Sequence, residues 1–457
     1  MRRLLPAIAA FVLSLGIMAA VPAGVVNSQF ATNTPDPSEN NNAFPTFSPD
    51  EAKPSATSSG GGFAFATNTP DGPVNTPTPS STPVPPTPTP TFTPTATFTP
   101  APTATTVGPF SYPDGFNALT GLPFPDEASR NRRNLIIKIS NYPPIVRPQT
   151  GMNQADVVYE YEVEGGVTRF AAIYRSQTPP LVGSVRSARL LDMELTTMYD
   201  AFLAYSGTSE PIQKLLISPP FFNFQLISPL IGDNCEDAGF CRYPQEGKAF
   251  EHTLYADPAK LWEVGARRNS VLGIRAKGFA FSDVPDANGA TANDLFIDWY
   301  GQVDARWQYD PETQRYVRFT DGLAHYDAGD GQQLWTDNII VVEVPHQQRP
   351  DLFPEGATYV SQEIQLWDQG RAMVLRQGKI YYGYWRRQNR EPGSALQVIY
   401  GDNTPIMLKP GRTYVEVVRG FGDVLVSEQY ADMAATAVAI SLTPTATPLN
   451  IPDTDGG

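Results

Sequence analysis

Four arginines and two glutamates, Arg147, Arg169, Arg186, Arg189, Glu160 and Glu164, fall within one short stretch and are the side chains best suited to chemistry. A guanidinium fork presents paired donors that match the two oxygens of a carboxylate or a similar anion. Converging arginines would therefore make a binding site for an anionic ligand. The competing arrangement has them closing internally on Asp156, Glu160, Glu162 and Glu164, tying strand ends together. Alternation along a strand puts Glu160, Glu162 and Glu164 on one side, with Tyr159, Tyr161 and Val163 on the other. Three like charges in a row repel unless cations lie opposite, so arginines are expected nearby. Glu160 and Glu164 also supply the carboxylate pair that glycosidase chemistry requires, although an ion-pair network accounts for them more simply. No residue is therefore assigned a catalytic role.

Other reactive side chains are poorly placed. Ser187 and Ser206 lie outside any G-x-S-x-G pattern and no histidine is near them in sequence, so serine hydrolysis is not expected. His252, His325 and His346 are scattered, and the last two sit in strand-rich sequence, where hydrogen-bonded structural roles are expected. Gly165-Gly166 supplies a turn with positive φ between two strands, and its spacing matches no phosphate-binding loop. Cys235 and Cys241 are the chain's two cysteines. In an exported protein a close pair is most simply a disulfide closing a loop, and this spacing is not that of a redox motif. Neither a metal nor a cofactor is expected. A net charge of −14 argues against a surface that coats polyanions, so nucleic acid is not an expected partner.

The elements that must position these residues are legible in outline. Residues 134–139, 156–163 and 168–174 are β-branched and aromatic and read as strands. Between Arg189 and Tyr205, Leu190, Leu191, Met193, Leu195, Met198, Tyr199 and Phe202 recur at helical spacing. Further helices are expected over 210–216 and 258–268. The stretch 218–247, rich in Pro, Gly, Asn and aromatics, reads as a long ordered loop. After residue 283 the texture turns to strands, including 295–300, 316–319, 339–344, 372–375, 380–385 and 414–418, separated by turn pairs such as Asp321-Gly322 and Pro410-Gly411. Its many aromatics, among them Trp299, Trp307, Trp367 and Trp385, are expected to form core, with any excess free to stack on sugar rings.

Arg2-Arg3 precedes an apolar run reaching about Val26. This is either a cleaved signal peptide, with the small residues Val21 and Ala23 before the cut, or an uncleaved anchor long enough to span a bilayer. From Asn27 to Pro109 the chain is rich in Pro, Thr, Ser, Asn and Gly, too poor in apolar side chains to fold, and reads as a disordered linker. The stretch 30–36 recurs at 65–71, a duplication without solenoid character. In polyproline II conformation the linker would reach roughly 200 Å. A shorter Thr/Pro tail begins near Thr443.

Successive motifs resemble the YerB-like family of bacterial envelope proteins. They run Asn117-Ala118-Leu119-Thr120-Gly121-Leu122-Pro123, Asn141, Arg147-Pro148-Gln149, Ala155-Asp156-Val157-Val158-Tyr159-Glu160, Glu164-Gly165-Gly166-Val167-Thr168-Arg169-Phe170 and Arg186-Ser187-Ala188-Arg189. In the second half, Arg315-Tyr316-Val317-Arg318, His325, Asn338-Ile339-Ile340-Val341, Gly378-Lys379, Gly383-Tyr384-Trp385-Arg386 and Leu408-Lys409-Pro410-Gly411 arrive in the family's order. The resemblance implies an N-terminal and a C-terminal domain, and a biochemical activity that is not established. Two positions depart from the pattern: Ser184 stands where proline is expected, and Tyr205-Ser206-Gly207 replaces a more glycine-rich turn. Family members usually carry a lipidated cysteine after the signal. No cysteine precedes Cys235 here, so lipid anchoring at such a position is not expected.

The sequence thus predicts an α+β protein in consecutive pieces. These are a signal or anchor (1–26), a linker (27–109), a mixed α/β domain (110–285), a mostly antiparallel β-rich domain (286–428) and a terminal segment (429–457). The expected function is non-catalytic binding or scaffolding in the cell envelope, outside the membrane, with a cell-wall polymer or another envelope protein as partner. Contact with the membrane would come through the N-terminal segment if it is not cleaved. The alternative is an envelope hydrolase acting on wall glycan or peptide.

Overall fold

The computed structural model describes residues 106–427 apart from 219–221 and 354–355. The expected signal or anchor, residues 27–105 of the linker and the terminal segment lie outside the described residues.

Strands β1 (Leu135–Ser140), β2 (Val157–Val163) and β3 (Val167–Tyr174) form where β-branched and aromatic residues predict them. Gly165 and Gly166 turn the β2–β3 hairpin at φ 85° and 70°, a conformation that disfavours side chains with a Cβ. Next come helix α1 (Leu190–Tyr199), strand β4 (Phe202–Ala204), helix α2 (Glu210–Ile217) and helix α3 (Pro258–Arg267). Helix α3 starts on Asp257, whose carboxylate accepts from the Ala259 and Lys260 amides, with Pro258 in the first turn.

The predicted 189–205 helix is too long. It ends at Tyr199, Asp200 takes a left-handed φ of 42°, and the chain enters β4, which pairs in parallel with β1. The strand is buried throughout, so its apolar side chains prolong the helical spacing; a short buried strand and a buried helical turn look alike by period. The 218–247 stretch holds short pieces of structure: an edge strand at Leu226–Ile227, a helical turn at Cys235–Ala238 and a strand at Phe240–Arg242.

The second half supplies β5 (Asn338–Glu343), β6 (Asp368–Arg376), β7 (Lys379–Arg387) and β8 (Thr413–Val418). One eleven-stranded sheet joins both halves. Its order runs Ala290–Thr291, β7, β6, β5, β8, β2, β3, β1, β4, Leu226–Ile227, with Gln397–Ile399 also paired to β7. Strand β8 lies parallel to β5 on one side and to β2 on the other, which places Glu416 beside Glu160. The sheet therefore continues across the change of texture near residue 285. The C-terminal region is β-rich, and the described pairings within it are antiparallel except β5 with β8.

Strand β2 is buried on both faces. Val157, Tyr159, Tyr161 and Val163 join the core that includes Leu191, Leu195 and Met198 of α1. Val158 faces the other way, into a core shared with Leu295, Ile297 and Trp307 from a second, six-stranded antiparallel sheet. Each such apolar side chain contributes about 1.5–3 kcal/mol on burial. Trp299, Trp307, Trp385 and Tyr316 are wholly buried, so these aromatics serve the core.

Candidate functional site

The carboxyl ends of the parallel strands β1, β2 and β4 and the start of β3 meet at one end of the sheet. Two segments cross that end, 186–189 leading into α1 and 205–209 leading into α2. They are laced together: the Ser206 amide donates to the Arg186 carbonyl (3.0 Å), the Ala188 amide to Gly207 (2.9 Å) and the Thr208 hydroxyl to Ala188 (3.0 Å). Helix α1 is anchored where the Arg189 amide donates to Asp192 Oδ2 at 2.6 Å. The carboxyl ends of parallel strands are where open α/β sheets commonly hold ligands.

Arg169, Arg186, Arg189 and Glu164 come together here. Arg189 Nε pairs with Glu164 Oε2, and burial, which alone would raise the Glu164 pKa, is outweighed by Arg189 and Arg169, which hold it below the usual range. Arg169 opens into β3 opposite Ser140 and Tyr161, is 8% exposed, and donates Nη1 to the Ser187 carbonyl at 2.9 Å. Burial and the like charges of Arg189 and Arg186 push its pKa well down. Arg186 donates Nη1 to the Glu251 carbonyl (3.3 Å), while its buried Nε has no partner among the described residues. Its pKa is lowered to about 10, by burial first and Arg189 second, against the opposing pull of Glu251.

Beneath the arginines lies a fully buried set that sequence reasoning missed. Lys138 Nζ on β1 bonds the Tyr161 hydroxyl and stands 3.4 Å from Asp192 Oδ1, which also accepts from that hydroxyl at 2.5 Å. Burial lowers the Lys138 pKa to about 7; Asp192 opposes the shift, and Arg169 and Arg189 add to it. A lysine in the middle of the apolar run Leu135-Ile136-Ile137-Lys138-Ile139 was the available signal. At the rim, burial and Arg186 depress His252 to about 4, so it is neutral near pH 7.

The remaining site residues go elsewhere. Arg147 Nη2 pairs with Asp321 at 2.5 Å. Glu160 Oε2 meets Arg318 Nη2 at 2.7 Å, and its Oε1 accepts from Asn141 (3.0 Å) and the Thr168 hydroxyl (2.6 Å). Arg318 Nη1 reaches Glu416 Oε1 at 3.4 Å, and the same oxygen accepts from Trp307 Nε1 at 2.8 Å. Glu162 pairs with Arg419 at 2.6 Å. Glu160, Glu162 and Glu164 therefore each face a cation, but only Arg189 was among those expected. His325 is wholly enclosed, between Thr320 Oγ1 (2.9 Å) and Gln149 Oε1 (2.5 Å), and burial drives its pKa well down. Cys235 and Cys241 are joined by a disulfide. A shallow depression at Asp286, Asn288, Tyr400 and Asp402 has no cation among its lining residues, and Asp286 there already accepts from the Tyr400 hydroxyl and the Met407 amide.

Arranged this way, the 164–189 cluster can hold an anion. Four basic side chains, Lys138, Arg169, Arg186 and Arg189, face two carboxylates, partly buried Glu164 and buried Asp192, and the Lys138–Asp192 pair is sealed from solvent.

Comparison with known proteins covers about two thirds of the chain. Residues 119–271 match the N-terminal domain, and residues 296–415 the C-terminal domain, of the family described as Protein of unknown function (DUF3048). The chain is 28% identical over 305 residues to YerB of Bacillus subtilis (strain 168), named as a candidate lipoprotein, across 66% of this chain and 85% of that one. The crystal structure of YerB protein from Bacillus subtilis superposes with a TM-score of 0.56 at 23% identity, covering 68% of this chain and 99% of the other, so the fold is shared. With both domains present in order and the fold in common, this chain belongs to the YerB-like DUF3048 family, whose function is unknown.

Proposed function

We propose that this protein is a non-catalytic binding protein of the cell envelope that retains an anionic ligand at Arg169, Arg186 and Arg189. One observation carries the reading: Arg169 is buried next to two other arginines and has no carboxylate within ion-pair distance among the described residues. A buried charge is strongly unfavourable unless it is paired, and an anion entering between the arginines supplies the pairing. An envelope location is supported by the apolar N-terminal run after Arg2-Arg3 and by likeness to a candidate lipoprotein. Within this sequence both cysteines are engaged in a disulfide, so attachment would use the apolar segment. A cell-wall polymer bearing carboxylates or phosphates, or an acidic envelope protein, is the proposed partner.

The test is a thermal-shift and equilibrium-binding series on the protein with muropeptides and anionic wall polymers, comparing wild type with Arg169→Gln and Arg186→Gln. Saturable stabilisation of the wild type alone is expected. Equal stabilisation of both variants would place the ligand elsewhere, and product release from any of these polymers that depends on Glu164 would replace binding by hydrolysis.

A further inference from the structure

The charges at this end of the sheet do not cancel. Arg189 is closed by Glu164 and Lys138 by Asp192. Arg169 and Arg186 bond only to backbone carbonyls, of Ser187 and Glu251, and no carboxylate lies within ion-pair distance of either among the described residues. The Glu251 carboxylate acts favourably on Arg186, but its side chain is 53% exposed, so solvent screens it. His252 adds no positive charge, since it is neutral near pH 7, and its buried Nδ1 has no partner among the described residues. Two guanidinium groups thus stand side by side with no ion-pair partner of their own, Arg169 being 8% exposed and acted on by Glu164 only beyond ion-pair distance, and Arg186 having a buried, unpartnered Nε.

Resting on the reading of this cluster as an anion site, we propose that its ligand is a doubly charged anion whose two charges are matched by Arg169 and Arg186. The class comprises a phosphate- or sulfate-type group and a short dicarboxylate, since a guanidinium pairs its donors with two oxygens in either case. A monovalent anion would leave one guanidinium facing another across a site of low dielectric.

Lys138 adds a condition. The groups facing it are Tyr161 from β2, Asp192 from α1, Arg169 from β3 and Arg189 at the α1 start. While protonated, Lys138 cancels Asp192. Once it is neutral, the Asp192 charge opposes the ligand and the uncompensated charge falls by one. With the lysine titrating at about 7, preference for a divalent over a monovalent anion is greatest below neutrality and declines above it.

The experiment is calorimetric titration of the full chain with sulfate against nitrate and with succinate against acetate, at equal ionic strength and at about pH 6.5 and about pH 9, where sulfate and succinate are mainly or wholly divalent. Divalent anions are expected to bind at least about tenfold tighter than their monovalent counterparts at the lower pH, with a smaller ratio at the higher. Response to sulfate alone assigns a tetrahedral group, and to succinate alone a dicarboxylate. Arg186→Gln, at a position nearer the surface than Arg169, should abolish the preference while leaving weak monovalent binding. Equal affinity for divalent and monovalent anions overturns this inference but leaves the anion site standing. Failure of every anion to bind a normally folded wild type overturns both.

Discussion

Arg318 Nη2 lies 2.7 Å from Glu160 Oε2, with both side chains fully buried, and this contact joins the second sheet to a strand of the first. Glu416, register partner of Glu160 on β8, shares the same guanidinium. Removing the cation would leave two carboxylates facing each other inside the protein. Arg318→Leu should therefore destabilise by about 3–5 kcal/mol, the range for breaking a buried pair from one side, as read by urea denaturation.

Glu416 responds in the opposite sense. Burial first, then the charge of Glu160, hold its pKa well above the usual carboxyl range. The folded state therefore grips this proton more tightly than the unfolded chain, where the pKa is about 4.3. Its contribution is complete below that value and is lost as pH rises towards the folded pKa. Glu416→Gln mimics the protonated form and keeps an acceptor for Trp307, so it should match the wild type near pH 4 and exceed it in stability by a margin that grows towards pH 7. Parallel denaturation curves with no change in their gap would contradict this.

Lys138 gives a second pH signature. Its folded pKa, about 7, lies below the unfolded value. The unfolded chain binds the proton more tightly, so stability from this group is full above the unfolded pKa of about 10.4 and is lost as pH falls to about 7. Lys138→Met should remove that slope from the denaturation midpoint measured between about pH 7 and about pH 10.

Arg169 should behave unlike Arg318, although both are buried arginines. No carboxylate lies within ion-pair distance of it among the described residues, and Glu164 acts on it only from farther away. Arg169→Gln is therefore expected to leave stability unchanged or raise it by about 1 kcal/mol while losing ligand retention, as residues held for function commonly do. A large drop in melting temperature with ligand binding intact would make the cluster architectural.

The disulfide closes a loop with a sequence separation of six. On loop entropy alone, Cys235→Ser with Cys241→Ser should cost about 2 kcal/mol, measured as the shift in denaturation midpoint against the oxidised wild type.

How far the site was legible depended on the range of the contact. Glu164, Arg169, Arg186 and Arg189 lie close in the chain, joined by one hairpin and one short crossing, so their convergence could be argued from spacing. The cations for Glu160 and Glu162 could not: Arg318 and Arg419 come from the other half of the chain. The alternation of Arg315-Tyr316-Val317-Arg318 shows that Arg318 shares a face with Tyr316, opposite to Arg315, but not which sheet that face meets. Asp200 marks the same limit locally, since the spacing of Phe202 fits a helix and its pairing with Leu135 makes it a strand.

By itself, the sequence determined the strands of β-branched residues, the glycine turn at 165–166, the row of glutamates on one face of β2 and the closeness of the two cysteines. These follow from neighbours a few residues apart, through side-chain sterics and strand period. Only the tertiary structure decided that β8 inserts beside β2, that Arg318 serves Glu160 and Glu416, and that Lys138 and Asp192 lie beneath three arginines. Those outcomes depend on which sheet edges meet, and pairing between strands more than two hundred residues apart is set by packing of the whole core and leaves no local mark in the chain.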